Sequence, residues 1–503
     1  MLAQVQPVDT PEIVWSALVP LLFLVVGALL LLTIASLVPK LPRWLAPGWT
    51  IAAAVGSIVA VIPNWDRVQE DGPFSTGGGA LGIDGFGLFL TVVIAGSVIL
   101  TTLLTSDYLR REELDTGVEA YVLLLLSASG GVVMAMANDL LVLFLGLEIL
   151  SIAIYILAAM HRRRVQSQEA GLKYFVLGAF SSAFFLYGIA MVYGATGSTN
   201  LVTIKDYLST ITLTTDSMLL AGFGLLLVGL GFKVAAVPFH SWSPDVYQGS
   251  PSPIVAFMAS GVKAAGFAAI LRVFVLTFGD FRTDWQPVVY TLAILSLLVG
   301  AVLGVVQRDV KRMLAYSSIN HAGFMLVGVE AASDRGTAAV LFYAASYAAL
   351  VAGTFGVVTL VGRRGDGRHD LDDYRGLAAE RPVLALSFTL LLLAQLGAPF
   401  TSGFFAKFSV LAAAIDARSY WLALVAMLSA VVSAYIYLRL VFTLYTDRPP
   451  LAEGEERSPI RVPWTAGLAV AIAVVITIGI GIVPGPLDDV ARDAVPALVE
   501  LAG

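Results

Sequence analysis

An all-α polytopic membrane protein with about 14 transmembrane helices is the fold this sequence predicts, and three observations predict it. Of 503 residues, 58% are hydrophobic and only 13% charged, and mean hydropathy is +0.85; an ordinary soluble domain carries about 25% charged residues. Apolar runs long enough to cross about 30 Å of hydrocarbon recur along the whole chain. The basic residues between those runs alternate between rich and poor connections, as the positive-inside rule requires. Cysteine is absent, which excludes disulfides, thiolate-held iron–sulfur clusters and thiolate catalysis in this chain. A net charge of −6 leaves no nucleic-acid footprint.

Taken in order, the spans fall at residues 13–37, 49–63, 85–106, 119–137, 139–160, 170–194 and 217–237, then 252–278, 286–307, 313–330, 336–361, 383–411, 419–445 and 463–484. The first 12 residues contain no Lys or Arg, and the run that follows is too long for a signal-peptide core, so it reads as a retained span. The second span is short, and only Asn138 separates the fourth from the fifth. One set of connections holds 18 Lys and Arg, including Lys40, Arg110, Arg162, Arg163, Arg164, Lys311, Arg448 and Arg457; the other holds six, at Arg67, Lys205, Arg282, Arg335, Arg418 and Arg492. That asymmetry puts both termini outside. GGGALG at Gly77–Gly82 reads as a flexible outside loop, with no phosphate-binding Lys after it.

Two spans are predicted to be broken. The seventh runs GLGFKVAAVPFH, with Pro238 shortly after Lys233; the twelfth runs AQLGAPFTSGFFAKF, with Gly397, Pro399 and Gly403 before Lys407. Proline removes a backbone donor, and such breaks survive in a bilayer only where protein or water satisfies the freed groups. Paired interruptions in two halves point to transporter repeats. The expected organisation is N-terminal helices 1–3 (1–118), two inverted five-helix repeats (119–278 and 279–445), and a final helix with a tail (446–503).

The connections use 21 Arg against three Lys, whereas the membrane interior holds four Lys, at Lys173, Lys233, Lys263 and Lys407, against two Arg. Lysine can release its proton when desolvated and arginine cannot, and an ionisable group at the bilayer centre costs roughly 2.5–3.5 kcal/mol on insertion scales. With Glu148 mid-way along the fifth span, these lysines form a candidate proton-transfer set that would titrate as a coupled group. The structural alternative is a static Glu148–Lys233 ion pair locking helices together; it leaves Lys263 and Lys407 without partners. Lys173 follows Glu169 by four residues, so an i,i+4 pair at the interface competes with a relay role. Arg272 and Arg439, near span ends, read as headgroup anchors. His240 and His321 are the histidines near membrane depth and are suited to shuttling protons; a bis-histidine haem is the competing reading, but neither lies on a repeated helical ligand pattern. No metal or cofactor motif is present.

At these residues the chain resembles a known family. GFKVAAVPFHSWSPDVYQGSPSPIVAFMASGVKAAGF (231–267) and RDVKRMLAYSSINHAGFM (308–325) are similar to signatures of the antiporter-like membrane subunits of respiratory complex I. EAGLKYFVLGAFSSAFFLYG (169–188) resembles the subunit N branch. The resemblance implies that Glu148 and Lys233 form the first-half pair, Lys263 the central lysine and Lys407 the second-half exit, where subunit M usually carries a glutamate. Gln248 departs from the pattern, standing where many members carry an acid. The implied function is proton translocation within bacterial NADH:quinone oxidoreductase, in the inner membrane. Flavin, iron–sulfur clusters, NADH and quinone would belong to partner subunits. The implied neighbours are the antiporter-like subunit M and the small membrane subunits K, J, A and H. An Mrp-type cation/proton antiporter subunit and a non-transporting scaffold are the alternatives. Topology supplies the first prediction: reporters fused after residue 503 and within 363–375 should report opposite sides of the membrane.

Overall fold

With no water in hydrocarbon to bond the backbone, a spanning segment must satisfy its own N–H and C=O groups, and this chain does so with helices. The computed structural model describes residues 12–38, 40–114, 117–210, 217–447 and 460–495; Arg448, Arg457 and both chain ends lie outside them. The described elements begin with α1 (Trp15–Leu37), α2 (Leu45–Asp71), a hairpin of β1 (Phe74–Thr76) and β2 (Leu81–Ile83), α3 (Gly85–Arg111), α4 (Glu119–Met136), α5 (Leu140–Ala158), α6 (Val165–Thr196) and α7 (Leu201–Thr210). Next come α8 (Ser217–Val234), α9 (Trp242–Gly249), α10 (Ser252–Phe257) and α11 (Lys263–Ile270), the last two joined by a π turn (Met258–Val262) and followed by another (Leu271–Thr277). The remainder is α12 (Arg282–Val305), α13 (Val310–Glu330), α14 (Asp334–Val361), α15 (Leu377–Glu380), α16 (Pro382–Leu396), α17 (Ser402–Asp416), α18 (Tyr420–Tyr445), α19 (Trp464–Ile482) and α20 (Gly485–Asp493).

Twelve of the described helices are long and apolar enough to cross a membrane. The predicted tenth span corresponds to α13, a helix rich in polar residues, and the predicted twelfth is divided into α16 and α17, of 15 residues each. The second span is not short: α2 runs for 27 residues and carries Pro63 within it. Helix starts are specified by side-chain caps. Asp84 accepts from Gly87 N (2.8 Å), Asp139 from Leu141 N (2.7 Å) and Asp309 from Arg312 N (2.9 Å). The Asp139 cap lets α4 and α5 turn back on each other within three residues, 137–139.

The most apolar stretch of Ser252–Thr277 is wholly buried and that of α14 is 94% buried, against 33% for α1 and α6. The span carrying Lys263 is therefore the axis of the molecule, and its surroundings are protein rather than lipid. On α5, by contrast, Leu145, Ile149, Ile152 and Ile156 are exposed, a face that needs lipid or a neighbour.

Both predicted breaks are present. At the first, α8 stops at Val234, and the freed groups find side chains: Val237 N donates to Ser296 Oγ (2.9 Å), and Trp242 Nε1 donates to the Phe232 carbonyl (3.0 Å). At the second, Gly397 (φ +93°) and Phe400 (φ +63°) take the left-handed conformation between α16 and α17.

Two expectations need correcting, and a third gains detail. Gly77–Gly82 is not a free loop: Gly77, Gly78 and Gly79 all have positive φ and close the β1–β2 hairpin, and the Gly79 carbonyl accepts from Asn138 Nδ2 (3.1 Å) and Asn200 Nδ2 (3.2 Å). Arg439, half-exposed near the end of its span, donates to the Val305 (3.1 Å) and Gln307 (3.3 Å) carbonyls, closing the end of α12. Arg272 is fully buried: its Nη2 meets Asp84 Oδ1 at 2.7 Å, its Nε donates to the Ala135 carbonyl at 2.6 Å, and it lies over the Phe86 ring. This one side chain ties α3, α4 and the second π turn together.

Stranding a buried charge costs about 3–5 kcal/mol, while removing both members of a pair is often neutral. Asp84→Ala should therefore lower the thermal stability of the purified protein sharply, and the double variant Asp84→Leu with Arg272→Met should recover most of the loss; thermal unfolding in detergent measures both.

Candidate functional site

The site is built from the lysines outward. Lys233, at the end of α8, points its Nζ at Ser151 Oγ (2.7 Å), and Ser151 donates in turn to the Leu147 carbonyl (2.5 Å). Glu148 is half-buried one turn before Ser151, and its buried Oε1 has no hydrogen-bond partner. The expected Glu148–Lys233 contact is thus not an ion pair: Ser151 takes the ammonium. The Tyr174 ring lies 5.8 Å from Lys233 Nζ.

Lys263 follows directly on a π turn, a departure from α geometry that recurs at functional positions. Its Nζ donates to the Ser318 carbonyl (2.7 Å) and to Ser318 Oγ (2.5 Å), with the Tyr347 ring 6.0 Å away. Lys407 donates to the Leu396 carbonyl (2.9 Å), the last residue of α16, and sits 4.9 Å from the Phe324 ring. A cation there completes a helix C-terminus and meets the negative end of its dipole. A Cβ on Gly397 would come within 3.1 Å of Lys407 Cδ, so glycine is needed both for the turn and for the lysine's passage.

A separate hydrogen-bonded chain joins α13, α14, α16 and α18. His321 Nδ1 lies 2.6 Å from Tyr343 Oη, and its Nε2 lies 3.1 Å from Tyr437 Oη. Tyr437 Oη is 2.6 Å from Ser317 Oγ, which donates to Gln395 Oε1 (3.2 Å) just before the second break. α13 organises this region: Ser318 serves Lys263, while Ser317 and His321, one turn apart, serve the tyrosines.

Other predicted residues lie elsewhere. His240 sits in the turn between α8 and α9, with Nδ1 unpartnered and no hydrogen bond to these lysines. Pro238 and Pro399 occupy the two breaks. Lys173 is 42% exposed and pairs with Glu169 Oε1 (2.7 Å), as its spacing allows, but also with Asp245 Oδ2 (2.8 Å), which its spacing does not reveal. Among the described residues no group of three or more His, Asp or Glu is placed to hold a metal ion.

Sequence reasoning missed Ser151, Ser317, Ser318, Tyr343, Tyr437 and Gln395, whose only signal is polarity inside an apolar run. It also placed Lys311 in an open connection. Lys311 is wholly buried, donates to the Ser250 carbonyl (2.6 Å) and lies 3.5 Å from Asp366. Asp366, also buried, further meets Arg164 (3.2 Å), His369 Nε2 (2.9 Å) and Ser252 Oγ (2.8 Å), so a connecting loop caps the helix leading to Lys263. Burial alone would raise the Asp366 carboxyl, but Lys311, His369 and Arg164 outweigh it and hold it well below the usual carboxylate range.

The chain matches the family model described as NADH:quinone oxidoreductase/Mrp antiporter, TM, over residues 137–433. It is 42% identical to NADH-quinone oxidoreductase subunit N of a Parafrankia species, covering 97% of this chain and 96% of the relative. It is 37% identical to the protein of the same name from Trichlorobacter lovleyi, covering 95% and 96%. Among solved structures, it is 34% identical to a chain in respiratory complex I from Thermus thermophilus with bound aureothin (TM-score 0.78, covering 94% and 99%). A chain of the Mrp complex from a Dietzia species shares the fold at 20% identity (TM-score 0.84, covering 97% and 98%).

Because the Asp366 carboxyl is depressed, its stabilisation is fully present above the unfolded value of about 3.9 and is lost as pH falls below it towards the folded value. Asp366→Asn should lower stability at neutral pH and flatten the acid limb; thermal unfolding in detergent from about pH 7 down to about pH 3 tests the slope.

Proposed function

This chain belongs to the subunit N family of NADH-quinone oxidoreductase, within the wider NADH:quinone oxidoreductase/Mrp antiporter group, and we propose that its own residues carry protons across the membrane in that complex. The observation that carries this reading is the bonding of the three deep lysines. Among the described residues, Lys233, Lys263 and Lys407 touch hydroxyls, carbonyls and aromatic faces but no carboxylate within 4.0 Å. A lysine locked in a contact ion pair has no reason to discharge. These have none to lock them, and each already has an acceptor of its proton's hydrogen bond.

The proton is taken up by Lys233 from the side bearing the basic connections. It moves to Lys263, and then by way of Ser318, Ser317, Tyr437 and His321 towards Lys407. Glu148 lies one turn from Ser151, the group that holds Lys233, so a change in that carboxylate's surroundings reaches the first carrier of the path. His321 accepts at one ring nitrogen and donates at the other, and its two tyrosine partners keep both occupied. Lys407 releases the proton to the outside, the side of both termini in this reading. Electron transfer, with its flavin, clusters, NADH and quinone, belongs to partner subunits; this chain sits in the membrane arm beside other antiporter-like subunits, in a bacterial membrane.

Lysine and arginine part company at residue 407. Lys407→Arg keeps the charge but does not release a proton at accessible pH. Proton pumping per assembled complex should be nearly as impaired in Lys407→Arg as in Lys407→Ala. Full pumping by Lys407→Arg would reduce the residue to an electrostatic helix anchor.

A further inference from the structure

Beside the site lies a polar cavity of about 530 Å³ lined by Arg164, Lys173, Asp245, Gln248, Asp309 and His369, at the end of the molecule that carries the basic connections. Its inner wall is an ion bridge: Asp245 takes Lys173 on Oδ2 (2.8 Å) and Arg312 on Oδ1 (2.6 Å). Immediately behind the bridge, Tyr174 and Trp242 stack face to face, with centroids 4.4 Å apart and planes 10° off parallel. Lys233 Nζ lies 5.8 Å from the centroid of the Tyr174 ring. We propose that Asp245, through Lys173 and Arg312, latches this aromatic stack shut between the cavity and Lys233, and that its release admits the water-borne proton that Lys233 takes up. The proposal rests on the reading of Lys233 as a proton carrier.

Sequence adjacency makes the bridge and the stack one device. Lys173 precedes Tyr174 on α6, and Asp245 stands one turn after Trp242 on α9, so the bridge clamps the same two helices that contribute the rings. Both cations have somewhere else to go: Lys173 also meets Glu169 Oε1 (2.7 Å), and Arg312 Nη1 also donates to Gln248 Oε1 (3.0 Å). Opening the bridge therefore strands neither of them. The bridge is partly open to water, at 42%, 37% and 28% side-chain exposure for Lys173, Asp245 and Arg312, and ion pairs of that kind are weak enough to break in a working cycle. Behind it, the Tyr174 hydroxyl is buried without a hydrogen-bond partner in the protein, which gives entering water a group to bond on its way to the lysine amine.

Since the chain has no cysteine, a single Ser243→Cys reports access behind the stack. In inside-out vesicles of the assembled complex, a water-soluble maleimide is applied and its mass read on this subunit. Adding Asp245→Asn should speed labelling about tenfold, by favouring the open state, and lower protons pumped per NADH oxidised; Asp245→Glu should restore both. Lys173→Gln, at an exposed side chain, should act in the same direction and decides the matter if Asp245→Asn does not assemble. Unchanged labelling in an assembled Asp245→Asn or Lys173→Gln complex overturns the latch. Labelling that responds while Lys233→Ala pumps normally keeps the latch and overturns the role of Lys233 instead.

Discussion

A charged group in the middle of a membrane must be solvated by the protein that carries it, and here the solvation is supplied by neutral groups. Ser151, the Ser318 carbonyl and hydroxyl, and the Leu396 carbonyl take the three ammonium groups. Much of the architecture follows from bringing those oxygens into place. α13 crosses the centre so that Ser318 meets Lys263, and the break after Leu396 leaves a carbonyl unpaired for Lys407. The cost of burying each charge is met without fixing it, which a carboxylate at contact distance would not allow.

The charges that do pair by contact sit at the two ends of the molecule. Arg272 with Asp84, and Asp366 with Lys311, Arg164 and His369, are buried and multiply bonded. They clamp the connections to the spans and hold the ends of the helix that bears Lys263 while its middle keeps an unpaired lysine. Rigid ends and a polarisable middle suit a path along which only protons move.

The fold was legible to the extent that it depends on hydropathy and on residues that break helices. Pro238, Gly397 and Pro399 mark the interruptions, and lysines among leucines and alanines declare themselves. The rest depends on pairs that sequence does not connect. Serines, tyrosines and a glutamine are unremarkable in apolar helices, and nothing local shows that Ser317 faces Tyr437. Arg272 near a span end satisfies the description of a headgroup anchor equally well, and Lys311 among arginines looks like any basic connection until Asp366 closes over it. The π turns on either side of α11 are invisible because each residue in them is an ordinary helix former.

Lys407 completes the last turn of α16 as well as carrying charge, and the two duties cannot be separated. When its ammonium becomes an amine, the hydrogen bond to Leu396 can persist, but the attraction to the helix's negative end, about 0.3–1 kcal/mol in ordinary settings and up to about 2 kcal/mol when buried, disappears. The half-helix then has a reason to relax whenever the residue is empty. On the proposed relay, occupancy would be written into backbone geometry and the break would work as a transducer: an adjacent element of the same chain could sense whether a proton had left without touching it.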